Sequence, residues 1–184
     1  PKILYVFQDG PKKKFNQNFI LISASLLLII FTLEIFVRLI IDNGMNYDLE
    51  MMKYSKTLKL KSRDANVGIE HKKNKEAVLM GQKIILNEYG FRNETPVSND
   101  KKKILMLGDS MTFGWGSKET FSSLLENKFG VNYQVLNAGI GNTNTIMQIN
   151  NFFINYKEIS PEVIVLNFYI NAVSYTHLTL PTTL

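Results

Sequence analysis

Hydrophobic positions are distributed along this chain in two different ways. Near the N-terminus they form one block: of the 23 residues from Phe19 to Ile41 only Glu34 and Arg38 are charged, and Phe19 to Leu33 carries no charge. At 1.5 Å per residue a helix of that length reaches about 34 Å, more than a hydrocarbon core of about 30 Å. The block is apolar around its whole circumference, so as a buried helix it would need apolar neighbours on every side, which a chain of 184 residues can hardly supply. It therefore reads as a transmembrane helix. Glu34 and Arg38 stand four apart and can pair on one face, with Arg38 reaching towards the headgroups.

Beyond the block the pattern changes. Residues 42–80 are polar and basic without a clear period, and include the cluster His71-Lys72-Lys73-Asn74-Lys75, which reads as a solvated stalk. Lys83 to Arg92 predicts a short strand turning at Gly90, a hairpin leading into the main domain, and Pro96 to Asp100 a loop. Ile104 to Leu107 is an apolar run of the kind buried on both faces of a parallel sheet. Phe121, Leu124, Leu125 and Phe129 then recur at helical spacing up to Gly130. Tyr133 to Leu136 predicts a second strand, Ile149, Phe152, Phe153 and Tyr156 one face of a second helix, and Val163 to Phe168, behind Pro161, a third strand. This βαβαβ alternation implies a parallel sheet with right-handed connections and helices on its faces. The expected division is residues 1–18 cytoplasmic, 19–41 anchor, 42–80 stalk, 81–172 an α/β domain and 173–184 a tail.

Charge sets the orientation. Lys12, Lys13 and Lys14 precede the apolar block and Asp42, Asp48 and Glu50 follow it, so the positive-inside rule places the N-terminus in the cytoplasm and the domain outside. Lys53, Lys56, Lys59, Lys61 and Arg63 follow shortly and oppose that bias. A cleaved signal peptide would need an A-x-A-like site after the block; none is present, so a retained single-pass anchor in the cell membrane is expected. The chain begins at Pro1 and is expected to lack its true start. The net charge of +5 admits a nucleic-acid partner, but the basic stretch is poor in aromatics that stack on bases, and none is expected. With no cysteine there is no disulfide, thiolate metal site or cysteine nucleophile; with only His71 and His177 as imidazoles, neither a metal nor a cofactor is expected.

The polar residues of the α/β region fall in one place on that scaffold. Ser110, the turn Gly139 to Asn142, and Asn171 each lie just beyond the C-terminal end of a successive predicted strand, the edge where open α/β sheets bind ligands. A serine there is, taken alone, equally a helix cap. Together the stretches Gly108-Asp109-Ser110-Met111-Thr112-Phe113-Gly114-Trp115-Gly116 and Asn137-Ala138-Gly139-Ile140-Gly141-Asn142-Thr143-Asn144-Thr145, followed by Val163 to Asn171, resemble the first three blocks of the SGNH or GDSL hydrolases in order and interval. That family comprises esterases, lipases and acyl-transfer enzymes with a flavodoxin-like three-layer α/β/α fold. The resemblance implies Ser110 as the nucleophile. It also implies an oxyanion hole made by the Ser110 N–H, an N–H of the second turn (Gly139, Gly141 or Asn142) and the Asn171 amide. Asn142 stands where the family usually has glycine, and Asn171-Ala172 where it has Asn-Asp. Asp109 is expected to orient the turn.

A serine needs an adjacent base, which the family takes from an Asp-x-x-His block, and no Asp-x-x-His occurs in this sequence. His71 falls in the predicted stalk and is not expected to reach Ser110. His177 lies in the Thr-rich, charge-free string Val173 to Thr183, which resembles a translated sequencing adapter, so native sequence is expected to end at Asn171 with Ala172 a hybrid codon. The expected fold is thus a truncated SGNH domain behind one transmembrane helix. The favoured function is an extracytoplasmic ester hydrolase or O-acyl transfer enzyme acting on acylated carbohydrate or lipid, incomplete and inactive as it stands. A noncatalytic surface-binding or assembly module on the same fold is the alternative. A nucleotide-binding domain is disfavoured, because neither a Walker loop nor G-x-G-x-x-G follows the first strand of the α/β region.

Overall fold

The computed structural model describes residues 11–41, 45–129 and 131–169, and the chain divides into two compact units at Asn46 and Tyr47. The first unit is α1 (Pro11–Phe36), continued by a π-helical turn at Val37–Ile41. From Asn16 to Ile41 it is long and apolar enough to cross a membrane, and none of that stretch is buried. Several of its polar side chains are satisfied on the helix itself. The Ser25 and Thr32 hydroxyls donate to the Leu21 and Leu28 carbonyls, each at 2.8 Å, and Arg38 Nε meets Glu34 Oε1 at 2.7 Å, the pairing that the four-residue spacing predicts. Internal satisfaction of this kind is what a segment without water requires.

The second unit runs α2 (Tyr47–Leu58), β1 (Lys59–Lys61), β2 (Ile69–His71), β3 (Lys75–Leu79), β4 (Gln82–Leu86), β5 (Lys102–Gly108), α3 (Ser110–Phe113), α4 (Phe121–Phe129), β6 (Tyr133–Gly139), α5 (Thr145–Asn151) and β7 (Val163–Leu166), with π and 3-10 turns between α5 and β7. It is mixed α/β. The predicted βαβαβ order is present: β5 lies between β6 and β7, all parallel, with Leu107 level with Ala138 on one side and Leu166 on the other. The chain steps one way from β5 to β6 and then crosses to the other side for β7, so the carboxyl end of β5 is a topological switch point. Leu105, Leu107, Leu136 and Ala138 of the sheet pack with Phe91, Tyr156 and Ile159 in one core.

Residues 47–80 are not the stalk that their composition predicts. Met51, Tyr54 and Leu58 recur at three- and four-residue spacing on α2, and Tyr54 and Leu58 are fully buried in a second core with Leu79, Ile84, Leu86 and Phe113. The stripe is only three residues wide and set among charged neighbours, so the segment reads as polar. The hairpin is also displaced: β4 pairs back onto β3 through Met80 and Gly81, both with positive φ, whereas Gly90 forms a separate turn onto Asn87. The compact unit therefore begins at Tyr47 and not at residue 81.

The apolar stripe of α4 is present but does not face the sheet. Phe121, Leu124 and Phe129 are exposed, and the buried residue of that helix is Ser122, whose hydroxyl accepts from Asn137 Nδ2 at 3.0 Å. On β7, Val163, Ile164 and Leu166 are likewise exposed, since among the described residues β7 has a strand on one side only.

Candidate functional site

Ser110 sits at the switch point, half-buried, as the first residue of α3. Asp109, itself buried, accepts the Met111 N–H on its side chain at 2.9 Å and so orients the turn, as expected. Arg92 holds the loop that follows: its Nη1 donates to the Phe113 and Gly114 carbonyls at 2.9 and 2.5 Å and its Nη2 to Ser117 O at 2.7 Å. Burial lowers the Arg92 pKa, which the nearby Tyr54 partly opposes. Sequence reading gave Arg92 no role.

The second turn closes against the first. A Cβ built on Gly141 would stand 3.5 Å from Ser110 Cβ, and one on Gly139 would collide with the Phe113 backbone, so α3 lies directly against the end of β6 and the turn that follows it. The expectation that Gly139 or Gly141 donates an N–H into the site is corrected by their bonds. The Gly139 N–H goes to Asn137 Oδ1 at 3.1 Å, and the Gly141 N–H goes to the Tyr54 hydroxyl at 3.1 Å. The Ile140 N–H continues the sheet pairing to Gly108 O at 3.0 Å. Asn142 remains: its N–H has no acceptor among the described residues, and its φ of 62° is left-handed. Asparagine is one of the few residues that tolerate that conformation.

Asn171 lies outside the described residues, as do Ala172 and His177. The third strand instead places Asn167 at the site, with its N–H on Leu107 O at 2.9 Å and its Nδ2 on Thr112 Oγ1 at 3.1 Å. A cavity of about 240 Å³ opens between Asp109, Met111, Thr112, Phe121 and Asn167 to Tyr169.

Behind the second turn stands a buried chain of groups from the segment read as stalk. His71 Nδ1 faces the Gly90 carbonyl at 3.0 Å and its Nε2 faces the Tyr54 hydroxyl at 2.6 Å. A carbonyl only accepts, so Nδ1 carries the proton, Nε2 accepts from Tyr54, and the Tyr54 oxygen accepts from Gly141. Burial drives the His71 pKa down to about 3, the Gly90 bond opposes this and Lys59 adds to it, so the ring is neutral at pH 7. Burial likewise raises the Tyr54 pKa, against the lowering effects of the Gly141 bond and Arg92. With both ring nitrogens engaged, His71 is unavailable to Ser110, and among the described residues no base meets the Ser110 hydroxyl.

Lys59 completes the support. Its Nζ donates to Gly141 O at 2.5 Å and Asn142 Oδ1 at 3.1 Å, and lies 4.2 Å from the Tyr54 ring centroid. Burial lowers its pKa to about 8. The result is a half-buried hydroxyl beside a turn that has one N–H without an acceptor among the described residues and is fixed from behind by Tyr54 and Lys59. Neither supporting residue is signalled by sequence, because both lie more than eighty residues from the turn. No family model matches the chain, and no curated protein matches it.

Proposed function

We propose that the chain is the membrane-anchored N-terminal part of a serine ester hydrolase or O-acyl transfer enzyme with a flavodoxin-like SGNH fold. The observation that carries this reading is the approach of the Gly141 turn to Ser110, with a Cβ at Gly141 reaching 3.5 Å from Ser110 Cβ, at the carboxyl ends of parallel strands. In this reading Ser110 attacks the ester carbonyl. The negative charge that develops is met by the Asn142 N–H and by the N–H of Ser110, which as the first helical residue has no intrahelical acceptor. One such donor lowers the barrier by about 2.7 to 4 kcal/mol.

In this reading the base lies outside the described residues, since His71 is locked between Tyr54 and Gly90. The helix Asn16–Ile41 anchors the protein in the cell membrane with the α/β unit extracytoplasmic, next to acylated carbohydrate or lipid. The test is to read the gene downstream of Asn171 from intact genomic DNA and assay the encoded protein on p-nitrophenyl acetate. An Asp-x-x-His block together with turnover abolished by Ser110→Ala supports the proposal; a native continuation without a histidine refutes it. The lack of a base at Ser110 among the described residues favours, as the second reading, a noncatalytic module binding in the same crevice.

A further inference from the structure

The second turn also borders a groove. Asn142 lines an open space of about 560 Å³ between α2 and the β1–β2 pair. That volume is within the range of about 300 to 1,000 Å³ typical of small-molecule sites. Met51, Met52, Leu60 and Ile69 line it, and Ser55, Lys59, Lys61 and Asn142 supply its polar atoms. Among the described residues no aromatic ring lines the groove, and its apolar residues are not tucked away: Met52 is 53% and Leu60 40% exposed.

We infer that this groove holds the aliphatic chain of an acyl substrate, with the chain's polar end at Asn142. The inference rests on the ester-transfer reading and narrows its substrate from carbohydrate or lipid to an amphiphile. Three observations carry it. Met51 and Met52 are unbranched, adaptable thioethers that suit a flexible chain better than a rigid ring. A sugar face would call for an aromatic platform, which the groove lacks. The groove also ends on Asn142, whose N–H has no acceptor among the described residues, and the exposed Lys61 there complements an acidic headgroup.

The test is photo-crosslinking of the full chain in lipid nanodiscs with a decanoic acid bearing a terminal diazirine, with the labelled residues mapped by mass spectrometry. We expect labelling within residues 51–69, competed by excess decanoate but not by butyrate. It should fall at least ten-fold both in Met52→Glu, which puts a carboxylate in the groove, and in Leu60→Trp, which fills it. Circular dichroism identifies a variant that fails to fold. Labelling confined to residues 19–41, indifferent to chain length, or unchanged in both folded variants overturns the inference. Cross-linking needs no turnover, so a chain that labels here but proves to have no esterase activity in its complete form loses only the catalytic reading.

Discussion

Acidification should destabilise this protein through one residue. His71 is buried and held neutral with a pKa of about 3, whereas an unfolded histidine titrates near 6.5. Above pH 6.5 the folded and unfolded chains carry the same proton count at this site, so the group contributes no pH dependence there. Below pH 6.5 the unfolded chain binds a proton that the folded one does not, and stability falls by about 1.4 kcal/mol per pH unit until the pH nears 3. Between pH 7.5 and 5 the loss is about 2 kcal/mol, a large part of a typical 5–15 kcal/mol. The assay is urea unfolding of the full chain in detergent, followed by circular dichroism at half-unit steps between pH 7.5 and 5. Carboxylates titrate mostly below that window, and the only other histidine is His177, whose replacement should leave the slope unchanged. In His71→Gln the protein should be less stable at pH 7.5 but nearly flat down to pH 5.5. An equal slope in His71→Gln, or an NMR titration placing His71 above pH 6, would refute the buried Tyr54–His71–Gly90 chain.

Other substitutions probe the same support. Tyr54→Phe removes one hydroxyl but strands both the Gly141 N–H and His71 Nε2, and should cost about 2 to 5 kcal/mol in urea unfolding at pH 7.5, against less than about 0.5 kcal/mol for Tyr47→Phe on the surface. Asn142→Ala loses the Lys59 contact and puts at positive φ a residue that tolerates it less well than asparagine, so about 1 to 3 kcal/mol should be lost, while Asn142→Gly should lose less. Because the chain has no cysteine, a single Lys118→Cys gives a clean topology probe; a membrane-impermeant maleimide should label it on intact cells, and labelling only after lysis would reverse the proposed orientation.

What the sequence made legible follows from where its signals are strong. The apolar block announced α1, and the Glu34–Arg38 pair followed from helical geometry alone. The parallel order of β5, β6 and β7 and the meeting of Ser110 with the Gly139 to Asn142 turn were legible too, because apolar runs ending in polar glycine turns repeat at α/β spacing. The segment 47–80 was not. Its stripe of Met51, Tyr54 and Leu58 is narrow, and its hairpin turns on Met80 in a left-handed conformation instead of a recognisable Asn-Gly pair. The fate of the glycine donors was equally hidden, since the Tyr54 hydroxyl that takes the Gly141 N–H comes from 87 residues away. The α4 stripe was legible as periodic but its exposure was not, because periodicity shows that a face is apolar and not what covers it.

The central claim is that the Ser110 hydroxyl is a nucleophile. Its most direct measurement is active-site labelling with a fluorophosphonate of the protein whose reading frame runs natively past Asn171, with the modified peptide sequenced by mass spectrometry. The account predicts one phosphonylated residue, Ser110, and no labelling in Ser110→Ala. Labelling at another serine, or none from a protein that does carry the Asp-x-x-His block, would contradict it.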